Sequence, residues 1–367
     1  MDVLICFIGR KLSRFSCKNR GVGTAESGWG RGQAFSLLEV LVAITLLSIL
    51  MLLLIGTTNA VSKLWRESAM KTGSYNEARE AFDTLTAQLA QLSLQPYWDY
   101  VDASGSIRKA SNLETFVPVS IKRQSDLHFI LGPTTDIVPS TSATTHPGHA
   151  VFFQKLGGRE ADLPFSNLLE TAGFFVESVD AAADPYTPSG VLSAVNPTGQ
   201  KMRLVEVQAL PADTTVYSSA NWISNLDISN PTQRSHKRVA AENVILLILR
   251  ARLSEAEDST GAALAPDYLY NSRAWVSETS TRAERSRNTP PPIIDVVMVV
   301  LEEDSAERLS RSGQLTPEGM GYGNFFANAA DLDNDLQQLQ DNLNNNKIGH
   351  RLLRASVPIA NARWGED

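Results

Sequence analysis

Two imidazoles three residues apart, in His146-Pro147-Gly148-His149, have a spacing that suits a metal ion. His128 and Asp136 are the nearest candidates for a third and fourth ligand, and no cysteine or spaced carboxylate pair completes the set. A polar turn before a strand is the expected reading. Asp331-Leu332-Asp333-Asn334-Asp335 opens like a calcium loop. Its sixth position is Leu336 where glycine is needed, and its twelfth is Asn342 where glutamate is needed. A solvated helix start, favoured by the helix dipole, is expected instead. Gly319-Met320-Gly321-Tyr322-Gly323 is glycine-rich but comes after no strand, so it reads as a flexible turn. The chain has no G-x-S-x-G, phosphate-loop or H-E-x-x-H motif, and no local signature links any Ser, His and Asp. The expectation is a protein that is not an enzyme, with no cofactor, no catalytic residue and no metal.

One carboxylate stands apart because of where it lies. An apolar run starts at Phe35 and ends at Ile55, reading FSLLEVLVAITLLSILMLLLI, with Glu39 as its one charge. Ser36, Thr45 and Ser48 are its other polar residues, and Gly, Pro and Asn are absent. As a helix it spans roughly 30 Å, one bilayer core. A carboxylate in hydrocarbon costs roughly 2.5–3.5 kcal/mol on insertion scales, so it usually has a partner and a task. A secretory signal would have a shorter apolar stretch and a small-x-small cleavage site, and residues 56–60 (GTTNA) are a poor substitute.

Charge agrees with a membrane segment. The 367 residues carry 33 Lys+Arg against 40 Asp+Glu, a net charge of −7, which argues against nucleic acid as a main partner. Residues 1–34 hold six basic and two acidic side chains, so a basic front precedes an acidic body. The positive-inside rule then keeps the N-terminus in the cytoplasm and exports the chain beyond residue 60. Both cysteines, Cys6 and Cys17, lie in the front, so a disulfide framework in the body is excluded. At 43% hydrophobic and 20% charged, the chain is neither disordered nor a many-pass membrane protein.

The junction Gly32-Gln33-Ala34-Phe35-Ser36-Leu37-Leu38-Glu39 resembles the type IV prepilin signal: a small residue, Phe, three residues, Glu, then an unbroken apolar helix. The resemblance implies cleavage between Ala34 and Phe35 by a membrane-embedded prepilin peptidase, N-methylation of Phe35, and retention of the helix in the mature protein. It departs at Ala34, where the family usually has Gly. Glu39 becomes the fifth mature residue, and its carboxylate can meet the new α-amine of a neighbouring subunit and set axial register. Glu242-Asn243-Val244 before a long apolar strand, Trp275, and Pro291-Pro292-Ile293-Ile294-Asp295 look like the large minor pseudopilin of type II secretion. Residues 149–154 (HAVFFQ), 202–206 (MRLVE), 265–268 (APDY) and 357–364 resemble protein C of Verru_Chthon cassettes, a pilin-like family.

Past the membrane, Tyr75, Ala78, Phe82, Leu85, Leu89 and Leu92 recur in steps of three and four, one apolar helical stripe, with Pro96 as a stop. Strands are expected at 127–131, 150–154, 173–178, 202–208, 239–253, 293–301 and 352–359, and a last helix at 332–343 with Leu332, Leu336, Leu339 and Leu343 on one face. Residues 202–208 (MRLVEVQ) alternate, as a half-buried strand should; residues 244–249 (VILLIL) are continuous and read as central. Trp98, Trp222, Trp275 and Trp364 are assigned only to core or edge.

The expected fold is α+β: a long N-terminal helix, transmembrane and then amphipathic, packed on an antiparallel β-sheet head. The divisions are a basic leader (1–34), an assembly helix (35–56), an amphipathic continuation (57–95) and an exported head (96–367). The expected role is a minor pilin-like, or pseudopilin, subunit of a type IV pilus or type II secretion-like filament, single-pass in the cytoplasmic membrane. Its partners would be prepilin peptidase, other pilin-like subunits, an inner-membrane assembly platform and lipid. The competing role is a signal-anchored membrane protein with an exported ligand-binding or hydrolytic domain.

Overall fold

The computed structural model describes residues 36–138, 144–160, 163–184, 186–188, 190–191, 198–211, 213–228, 236–274 and 286–362. Two units divide the chain, Met1–Lys63 and Leu64–Asp367. Helix α1 (Leu37–Ala90) is 54 residues long. Nothing in its sequence breaks it before its last turn, where the Gln91 and Leu92 amides tighten onto Gln88 and Leu89. It therefore ends six residues before Pro96. The expected stripe is observed: Ala78, Phe82, Leu85 and Leu89 are buried, as is Leu92 just beyond the helix. Leu92 bridges to Lys155, and the Ser93 amide donates to the Gln154 carbonyl, which pins the helix exit to the sheet.

Beyond α1 the strands pair antiparallel throughout. A two-stranded ribbon, β1 (Tyr97–Val101) and β2 (Ser120–Gln124), comes first. The large sheet contains β3 (Ile130–Pro133), β4 (Thr144–Thr145), β5 (His149–Glu160), β6 (Leu163–Asp180), β7 (Gln200–Ala209), β8 (Lys237–Glu242) and β10 (Tyr270–Asn271). Its order is β10-β3-β5-β6-β7-β8, with β4 pairing β6 off this path. A one-turn helix, α2 (Thr134–Ile137), links β3 to β4. A third sheet has the order β12-β11-β9, from β9 (Val244–Arg252), β11 (Ile293–Leu301) and β12 (His350–Pro358). Helices α3 (Glu303–Arg311) and α4 (Leu332–Asn345) complete the head.

The strand expected over residues 239–253 is two strands in two sheets. Asn243 separates them with φ of 60°, a left-handed conformation that asparagine tolerates better than most residues. Its carbonyl accepts from the Leu301 amide at 2.9 Å, so the turn is tied to the strand that β9 pairs with.

Two cores explain the apolar runs of β9 and β11. Val244, Leu247 and Leu249, with Ile294, Val296 and Met298, join the large sheet and the α1 stripe in the first core. Ile245, Leu246 and Ile248, with Val297, Val299 and Leu301, join Leu309 of α3 and Leu332, Leu336, Leu339 and Leu343 of α4 in the second. A strand buried on both faces needs no polar alternation. The molecule is thus α+β, with a long apolar N-terminal helix leading into a β-rich head.

Candidate functional site

From Leu37 to Trp65, α1 is long and apolar enough to cross a membrane, and every described side chain there is exposed within the single chain. Such a surface is not stable in water and requires lipid or other apolar helices around it. The hydroxyls on it are satisfied within the helix. Thr45 donates to the Val42 carbonyl at 2.8 Å, and Ser48 to that of Ile44 at 2.8 Å. Thr57 and Thr58 both donate to Leu54, at 3.0 and 2.8 Å. These back-bonds let hydroxyls enter hydrocarbon without an orphaned donor.

Glu39 has no such arrangement. It sits in the first turn of α1, where the Ser36 carbonyl accepts from its amide at 2.9 Å. The exposed amides of a helix N-terminus favour a carboxylate there. Among the described residues no side chain pairs with it. Ala34 and Phe35, the expected cleavage pair, lie outside the described residues. Lys63 and Trp65 close the apolar segment, residue types that anchor at a membrane–water boundary.

Within the head unit, α1 is held by polar contacts as well as by its stripe. Gln88 Nε2 donates to Glu206 Oε1 of β7 at 2.8 Å, and Arg238 Nε of β8 donates to the other oxygen at 2.6 Å. The Arg351 guanidinium lies 4.1 Å from the centroid of the Tyr75 ring, a cation–π contact. Burial and the nearby Glu302 carboxylate push the Tyr75 hydroxyl up to about 12.

The residues considered for chemistry are dispersed. His128 Nδ1 accepts from Trp222 Nε1 at 2.9 Å, and its Nε2 meets Asn271 Oδ1 at 2.7 Å, which fixes a neutral ring with the proton on Nε2. His149 Nδ1 lies 3.1 Å from both the backbone nitrogen and oxygen of Leu249. His146 packs edge-on against Phe175 at 5.1 Å. Asp136 is exposed on α2. The acidic run also divides: Asp333 pairs with Arg354 at 2.6 Å, and Asp335 accepts from the Phe326 amide at 2.8 Å. Among the described residues, no group of three or more His, Cys, Asp or Glu is placed to hold a metal ion. Trp222 is fully buried, whereas Trp98 is exposed on β1 beside Arg123. Trp275 and Trp364 lie outside the described residues.

Sequence reasoning missed two buried charge networks. Arg203 of β7 binds Asp184 at 2.8 Å and Glu177 of β6 at 3.1 Å, and Lys237 of β8 binds Glu177 at 3.1 Å. Burial alone would raise the Asp184 carboxyl, but hydrogen bonds from Arg203, Lys201, the Tyr186 amide and Thr187 hold it well below the usual range. In the third sheet, Asp295 accepts from Arg250 at 2.8 Å, Arg252 at 2.9 Å and Ser356 at 2.6 Å. Strand register brings the pairs together and no local pattern announced it: Glu177 faces Arg203, and Asp295 faces both Arg250 and Ser356.

Residues 30–55 match a protein family described as the Prokaryotic N-terminal methylation motif. Comparison of the chain with curated proteins and with solved structures found no match. The matched segment covers the junction and the whole apolar run from Phe35 to Ile55. A prepilin-type N-terminus on a membrane-capable helix is the pilin-like arrangement, which implies processing by a prepilin peptidase and assembly with other pilins.

Proposed function

We propose that this chain is a minor pilin-like subunit. It is cut between Ala34 and Phe35, methylated on Phe35, and built into a filament through the apolar half of α1. The observation that carries this reading is a wholly exposed apolar helix surface, Leu37–Trp65, that bears one carboxylate, Glu39, within its first turn. A neighbouring subunit's α-amine satisfies that carboxylate and defines the axial offset between helices. The head is exported, the N-terminus starts in the cytoplasm, and the protein acts by assembly and not by catalysis. Its partners are the peptidase, sister pilin-like subunits and an inner-membrane assembly platform.

The size of the head supports a minor or tip position. A unit of this bulk would have to repeat its head-to-tail contacts at every step of a shaft. A tip or initiating subunit makes them once.

Mass spectrometry of the mature N-terminus tests the reading. A chain beginning at N-methyl-Phe35 is expected. An intact Met1 would overturn it and leave a signal-anchored membrane protein.

A further inference from the structure

Two segments far apart in the chain meet across one cleft of the head. The segment from His146 to the first residue of β5, His149, forms one side, and the glycine-rich turn around Tyr322 forms the other. The cavity is about 230 Å³. That is below the roughly 300–1,000 Å³ of pockets for drug-sized ligands, and suits a fragment the size of one long side chain.

Part of the wall is apolar and stiff. Pro147 and Pro317 face the cleft together with Phe325 and Phe326. Phe326 has φ of 61°, a costly conformation for a bulky residue, and its amide is held by Asp335 Oδ2 at 2.8 Å. Gly148 has φ of 75°, and a Cβ there would stand 2.7 Å from the Leu247 carbonyl, so this wall is seated directly on β9. Tyr322 is fixed from below, its hydroxyl donating to the Ile245 carbonyl at 2.9 Å.

Charge in the cleft has one sign. Glu318 is exposed and, among the described residues, is the only carboxylate lining it; no described lysine or arginine lines it. Burial pushes the imidazoles of His146 and His149 down to about 4, so neither is a cation at neutral pH. A slot with proline and phenylalanine on its walls, neutral imidazoles beside them and one carboxylate at its rim fits a hydrocarbon stem that ends in a positive head.

We propose that this cleft binds an alkyl cation the size of an arginine or lysine side chain, with the stem between Pro147, Pro317 and the two phenylalanines and the charge at Glu318. The proposal is independent of the filament reading.

The test is saturation-transfer-difference NMR on the full chain in detergent micelles with three probes: Nα-acetyl-arginine amide, butylguanidinium, and Nα-acetyl-norleucine amide as the neutral isostere. Both cations are expected to receive saturation on their methylene protons, and the isostere to receive little. Glu318→Gln, an exposed position, is expected to keep the thermal unfolding midpoint and weaken both cations roughly three-fold. Tighter binding of the capped arginine assigns the site to a polypeptide segment; tighter binding of butylguanidinium assigns it to a free organic cation. Equal binding by norleucine amide, no binding by either cation, or no effect of Glu318→Gln would overturn the proposal.

Discussion

Arg203 Nη2 donates to Glu177 Oε2 across 3.1 Å, with both side chains completely buried between strands that place the two residues opposite each other. A charge removed from water on this scale is tolerated only because partners surround it: Asp184 on the other side of the guanidinium, and Lys237 on the other oxygen of Glu177.

Arg203→Met is therefore expected to destabilise the head by roughly 3 kcal/mol, since it leaves Glu177 and Asp184 each with a lysine alone as cationic partner. Urea unfolding followed by tryptophan fluorescence reads this directly. A loss well under 1 kcal/mol would mean that water reaches the network.

Stability should fall on mild acidification. Burial holds His128 down at about 4, whereas an unfolded imidazole titrates near 6.5. The unfolded chain then binds more protons over that interval. The contribution is complete above about pH 6.5, is lost as pH falls towards 4, and changes no further below that. One such imidazole is worth on the order of 3 kcal/mol. His146 and His149 share the direction and the raised Glu242 carboxyl opposes them, so His128→Gln should reduce, without abolishing, the slope of unfolding free energy between about pH 4 and 6.5. An unchanged slope would contradict the assignment.

Asn243→Gly should be close to neutral, because glycine accepts the φ of 60° at the crossing between sheets. Asn243→Val should cost about 1–2 kcal/mol, since a β-branched side chain resists the left-handed region. Thermal unfolding of the two variants side by side is the comparison, and equal midpoints would be the adverse result.

Glu39→Ala is expected to insert into membranes normally, because the remaining span is more apolar without the carboxylate. Its recovery in a sheared filament fraction should drop at least several-fold relative to wild type. Co-assembly at the wild-type level would remove the proposed pairing with a neighbour's amine.

A chain that begins at Leu64 should fold and remain soluble without detergent, since both hydrophobic cores lie inside Leu64–Asp367. Gel filtration and circular dichroism suffice, with aggregation or loss of the sheet signal as the contrary outcome.

Local pattern made much of this architecture legible. The α1 stripe at Ala78, Phe82, Leu85 and Leu89 and the α4 face at Leu332, Leu336, Leu339 and Leu343 arise from a periodicity of about 3.6, and β11 over Ile293–Leu301 from a short continuous apolar run, signals that depend only on near neighbours in the chain. The motif before Glu39 was equally readable, because the family pattern it matches is a linear segment.

Other features depended on partners far away in sequence. Residues 202–208 alternate like a strand with one wet face, yet α1 reaches one side of β7 through Gln88 and most of the strand is buried. Arg203 and Glu206 are interior charges with partners on β6 and α1. The split at Asn243 is invisible to local pattern, because the extended run continues through it and only pairing with β7 or β11 separates the two halves. By itself the sequence determined the α1 stripe, the α4 face, several of the strands, and which segment is apolar enough to cross a membrane. Only the tertiary structure decided which second face is covered, because the burial of a surface depends on what distant segment arrives to exclude water from it.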